Sequence, residues 1–179
     1  ELKLSGFFRT DQNTSKGKAY LYLIPLHENE VTKSLSSIIS KNRIQINATE
    51  WKKYEITAKI SDNTSYIASG CSFDDDINVW ADDFELSFKN NDVWEKINLP
   101  NSGFELSETL NDLSERHFDE TRHQIEVSDD QAYTGNNSVS IKYSGKMFDK
   151  IPDFGEMVNE PIGSNLSCAI PLTLHEKDK

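Results

Sequence analysis

The residue types that most often carry chemistry are scattered along this chain. The four histidines, His27, His117, His123 and His175, never stand at metal-ligand spacing, and none belongs to a His-Glu-x-x-His zinc pattern. Serines are plentiful, but no G-x-S-x-G elbow occurs and no Ser, His and Asp fall in a triad pattern. Paired carboxylates for glycoside hydrolysis come from distant strands and leave no local signature. The expectation is therefore that the chain is not an enzyme. Cys71 and Cys168 form no C-x-x-C motif and no metal spacing, and read as buried thiols acting as small hydrophobes. Asp74-Asp75-Asp76 reads as a solvated hairpin tip. A pyranose stacks its apolar C–H face on an aromatic ring, so a sugar platform would be drawn from Trp51, Trp80, Trp94, Tyr20, Tyr22, Tyr66, Tyr133 and Phe148. Sequence alone marks none of these as the platform.

Charge narrows the partners. The net charge of −11 repels a phosphate backbone, and no Lys/Arg stripe offsets it. Nucleic acid and an anionic membrane surface are both disfavoured. The acids are read two ways: as solubilising charge, or as loop carboxylates for a hard cation such as calcium. No run is apolar and long enough to span a bilayer. No basic stretch followed by an apolar one opens the chain, which begins directly on the strand pattern Glu1-Leu2-Lys3-Leu4, as expected of a segment cut from something longer.

The elements that must position any site are strands. Apolar residues recur with period two at Leu2 and Leu4, Ile44 and Ile46, Tyr54 to Ile60, Phe84 to Phe88, Ile125 and Val127, Val139 to Tyr143, and Leu166 to Leu174. Ala19 to Ile24 is a continuous apolar strand that Pro25 is expected to end. Turn chemistry separates them at 11–17, 61–64, 89–92 and 134–137. Residues 33–40 and 106–118 are the helix candidates, the second with a loose helical stripe, and 146–164 reads as a long loop. Many short strands with regular turns, in 179 residues, predict one all-β domain, a sandwich or a barrel, and the resemblance set out next implies the antiparallel two-sheet β-sandwich.

Four short motifs make the reading more specific. Trp51-Lys52-Lys53-Tyr54-Glu55-Ile56 is followed by Val79-Trp80-Ala81-Asp82-Asp83-Phe84-Glu85-Leu86. Asn101-Ser102-Gly103-Phe104-Glu105 and the stretch Asp129 to Ile141 come later. Together they resemble the strands of a galactose-binding-like, carbohydrate-binding-type jelly roll. They are similar to the N-terminal accessory region of secreted C-terminal-processing-type serine peptidases of gut Bacteroidetes. The order departs from that family: residues 1–88 resemble the back half of the module and 97–179 the front half. Joining the chain's end to its start recreates a family strand. The expectation is a single module over 1–179 with permuted strand order, or a junction of two tandem modules. Half a jelly roll leaves an apolar face bare, so the halves must complement each other within or between chains.

The resemblance carries functional expectations. It implies a non-catalytic module binding a glycan, outside the cytoplasm, in the periplasm or at the cell surface. The alternative is a structural or protein-recognition accessory domain adjoining a secreted peptidase. It implies a structural calcium held by the side chains of Glu105 and Asp82 and the backbone of Gly135 and Asn137. It also implies that Trp51 and Trp80 lie in the core, and that 101–105 is an opening strand.

Overall fold

The computed structural model describes residues 1–11, 17–27, 39–74, 77–99, 101–105, 123–143 and 164–171. Residues 33–38 of the first helix candidate, the helical stripe at 106–118, the long loop up to 163, Asp75, Asp76, His117, Phe148 and His175 lie outside these residues.

Ten strands form the described structure: β1 (Leu2–Thr10), β2 (Lys18–Leu26), β3 (Arg43–Ile46), β4 (Lys52–Ala58), β5 (Tyr66–Asp74), β6 (Val79–Asn90), β7 (Val93–Ile97), β8 (His123–Ser128), β9 (Ser138–Tyr143) and β10 (Ser164–Pro171). They make two antiparallel sheets. The larger runs β4-β1-β6-β9-β8, with β7 beside the far end of β6, and the smaller runs β10-β5-β2-β3. The fold is an all-β two-sheet sandwich. β8 and β9 extend the larger sheet from β6, and β10 extends the smaller one from β5, so the later part of the chain completes both sheets begun by the earlier part.

Alternation fills the space between the sheets. Leu2, Leu4 and Phe8 of β1, Tyr54 and Ile56 of β4, and Val79, Ala81 and Leu86 of β6 face inward from one side. Leu21, Leu23, Ile67, Cys71 and Phe73 meet them from the other. Phe8 is fully buried and sits edge-on to Tyr54 and Phe84, with centroids 5.9 and 5.3 Å away. Burying a side chain of this size contributes about 1.5–3 kcal/mol. A second cluster, Tyr22, Ile24, Leu26 and Ala68 with Ile39, occupies the opposite face of the smaller sheet.

Two local expectations change, and one strand is added to those the patterning shows. Pro25 does not end β2, which continues to Leu26. Leu23 directs its N–H and its C=O towards Asn42, and with period two the nitrogen of Pro25 faces the same way. β3 has already ended there, pairing only as far as Tyr22, so the missing N–H leaves no ladder bond unmade. Residues 101–105 form a turn rather than an opening strand, with Phe104 N–H donating to the Asn101 carbonyl at 2.9 Å and both residues at positive φ. Val93–Ile97, with Trp94, is a strand of its own, joined to β6 by Asn91 and Asp92, whose φ values of 46° and 66° make the two-residue turn suited to a twisted hairpin.

The bulge in β6 has the largest consequence. Ser5 pairs with Glu85 while Phe7 pairs with Asp82, so β6 spends one residue more than β1 over this step. Asp83 takes φ 48° there. The extra residue resets parity, which lets both Ala81 and Phe84 face the core and sends Asp82 to the outer face.

Candidate functional site

The bulge, the 101–105 turn and the 129–137 loop converge at one end of the larger sheet. Phe84 N–H donates to the Ser102 carbonyl at 2.9 Å, which ties the turn to the bulge. Phe104 is buried against Phe84, with centroids 5.8 Å apart at 88°, and this anchor carries the neighbouring Glu105 out to the surface.

The loop between β8 and β9 hangs on two carboxylates. Asp82 Oδ2 accepts the N–H groups of Tyr133 at 2.9 Å and Thr134 at 3.1 Å, and its Oδ1 accepts that of Asp83 at 2.7 Å. Glu105 Oε1 accepts the N–H groups of Asn136 at 3.0 Å and Asn137 at 3.2 Å, and Oε2 shares that of Asn136 at 3.2 Å. Thr134 Oγ1 adds a bond to Asp83 Oδ2 at 2.8 Å. Asp82 is 0% exposed. Burial pushes its carboxyl above the usual Asp value, against the N–H groups of Thr134, Tyr133 and Asp83 that favour the charged form, while the Asp83 charge adds to the rise. Gly135 holds φ +63°, and a Cβ there would lie 2.1 Å from Glu105 Oε1. Only glycine lets the turn close on the carboxylate.

Glu105, Asp82, Gly135 and Asn137, the residues carried over as a calcium set, are thus brought to one loop. Their arrangement does not fit a calcium cage. A cation needs oxygens, and this loop turns N–H groups to the carboxylates. In a trans peptide the N–H and C=O point oppositely, so the Asn136 N–H on Glu105 directs the Gly135 carbonyl away from it. Among the described residues no group of three or more His, Cys, Asp or Glu side chains is placed to hold a metal ion.

The same loop carries an aromatic surface. Tyr133 stacks on Phe7 of β1, with centroids 3.6 Å apart at 14°, and Trp51 lies 6.0 Å from it at 56°. Tyr133 keeps 42% of its surface exposed, and Phe7 and Trp51 are half-buried. Cross-strand partners share a face, so Phe7, Arg9, Lys53, Trp80 and Ser140 all belong to the outer face of the larger sheet. Arg9 binds the Gln131 side chain through Nη1 and lies over the Trp80 ring at 5.3 Å. Beyond it, Lys142 meets Glu126 and Asp130, each at 3.4 Å. The outcome is a strip with three clustered rings at one end and a polar row at the other.

Trp80 is buried, but under Arg9 on the outer face rather than in the core, and Trp51 sits half-buried beside Tyr133. Trp94 lies beneath the Lys3 ammonium at 4.5 Å. His27 donates through Nδ1 to the Asn63 carbonyl at 2.8 Å, the role of a turn histidine. Cys71 is a free, fully buried thiol opposite Leu166, while Cys168 stands opposite Ser69. Phe7 and Arg9 were missed as site residues. Their spacing of two on one strand face, with the polar Arg9 where an inward position would be apolar, was the available signal. Comparison with known protein families, curated proteins and solved structures gives no match for this chain.

Proposed function

We propose that this chain is a non-catalytic, carbohydrate-binding module of jelly-roll type from a secreted or surface protein, and that it binds along the outer face of its larger sheet. The observation that carries the reading is Tyr133: a solvent-open ring, stiffened by stacking on Phe7 and flanked by Trp51. Aromatic rings held this way offer a flat apolar surface to a sugar C–H face at little cost in side-chain entropy. Arg9, Gln131 and Lys53 beside it supply donors and acceptors that pair with hydroxyls. The two-sheet sandwich and the four family-like motifs point the same way.

The test is retention of the purified chain on a panel of immobilised polysaccharides, wild type against Tyr133→Ala. Retention by a specific polysaccharide that the substitution removes supports the reading. A folded wild type that no polysaccharide retains would refute it for those glycans and favour an accessory domain that contacts protein.

A further inference from the structure

We infer that Asp82 and Glu105 are positioning residues that fix the Tyr133 platform by direct carboxylate-to-amide bonds, with no cation in the role. The inference rests on the proposed function only for what the platform serves. The position of the loop is a property of the protein alone.

The argument is geometric. Between Tyr133 and Asn137 four backbone N–H groups, those of residues 133, 134, 136 and 137, point at two carboxylates from different segments of the chain. Successive N–H groups turned to one side form an anion-binding concavity, and here the anions are the protein's own side chains. Both loop ends are also tied. The Ser138 hydroxyl donates to the Gln131 carbonyl, and Asp130 N–H donates to Ser128 Oγ at 3.2 Å. Within those ties Asp82 holds Tyr133 by its own N–H, on the same residue as the ring that Phe7 supports. Gln131, bound to Arg9, lies two residues before it on the same loop. Asp82 therefore sets where the ring sits, and Glu105 closes the loop behind it. A calcium ion at this point would meet inward-facing N–H dipoles and a diverted Gly135 carbonyl, so chelation has nothing to remove.

The experiment is amide NMR on the whole chain, in calcium and in EDTA, for the wild type, Glu105→Ala and Asp82→Ala. The wild type is expected to show identical shifts at 133–137 in both buffers, with the Tyr133 ring protons displaced by the Phe7 ring current. Glu105 is exposed, so its alanine variant keeps the fold. That variant should lose hydrogen-exchange protection at Asn136 and Asn137 by about tenfold or more. It should also reduce the Tyr133 ring-current shift, which a residue of no positioning role would leave unmoved. Asp82→Ala, which leaves no acceptor, should do the same at Tyr133 and Thr134. A saturable calcium shift of these amides, or a Glu105→Ala spectrum with the loop amides and Tyr133 unchanged, overturns the inference. These readouts need no glycan, so absence of polysaccharide retention refutes the proposed function without touching this result. Where the wild type is retained, Glu105→Ala should weaken retention while EDTA leaves it unaltered, and the opposite pattern overturns the positioning role.

Discussion

Replacing Gly135 by alanine separates the two reasons that glycine stands there. The φ of +63° makes any L side chain unfavourable, by about 1–2 kcal/mol. The new Cβ would also lie 2.1 Å from Glu105 Oε1. That atom is the tip of a flexible side chain, so it swings away rather than straining the backbone. The consequence is loss of the Glu105 bonds to Asn136 and Asn137, about 1–3 kcal/mol and towards the low end at an exposed site. Gly135→Ala alone should then destabilise by about 2–5 kcal/mol. Glu105→Ala alone should lose only the bonds, about 1–3 kcal/mol. The double variant has no carboxylate left to clash with, so it should be no worse than Gly135→Ala, and the two changes should be coupled by about 1–3 kcal/mol. Urea denaturation of the four proteins, with equal m-values, measures the cycle. Additivity within about 0.5 kcal/mol would refute the claim that Gly135 is required by the carboxylate rather than by its turn.

Asp82→Ala should destabilise by about 2–4 kcal/mol, because three N–H groups lose their acceptor, and Asp82→Asn by less, since one amide oxygen remains and the buried charge is gone. The Asp82 carboxyl lies above its ordinary value, so the native state holds this proton more tightly than the unfolded chain. Its contribution to stability is complete below the unfolded value of ~3.9 and is lost as pH rises through the higher folded value. The stability of the wild type relative to Asp82→Asn should therefore fall as pH rises through that window; a difference that is flat or grows with pH would contradict the assignment. Tyr133→Ala should weaken binding of a retained polysaccharide by about 30-fold, ~2 kcal/mol, while costing about 0.5–1.5 kcal/mol of stability for the lost Phe7 stack, as isothermal titration and thermal melts would report. Burial pushes the Cys71 thiol far above its ordinary value, so in a Cys168→Ser background it should react with a thiol reagent only as fast as the chain unfolds; rapid labelling of the folded protein would show the smaller sheet to be open.

Patterning along the chain is enough for the class of fold and most of its strands. Period-two patterning at β1, β3, β4, β8 and β9 reads directly, because each strand buries one face and the side-chain period is fixed by the backbone. The turn residues at 61–64 and 89–92 were equally legible: Thr64 Oγ1 accepts the Ser61 N–H at 3.0 Å, and Asn91 and Asp92 tolerate positive φ. β5 and β7 were less so, since Ser69, Gly70 and Ser72 break the apolar run of β5, and β7 is a five-residue strand with no buried side chain. Pro25 misled because a local rule takes no account of which neighbour has already ended. The resemblance of the motifs also implied that Asp82, Glu105, Gly135 and Asn137 belong together, as calcium ligands. How they meet depends on contacts between distant segments. A one-residue bulge at Asp83 turns Asp82 outward, the Phe104 anchor aims Glu105, and the peptide planes of 133–137 present N–H groups rather than carbonyls. The aromatic strip was likewise a tertiary decision, joining Phe7, Trp51 and Tyr133 from separate segments. Composition and spacing record which residues are present, whereas the side to which a peptide plane or a ring turns is set by contacts between segments distant in the chain.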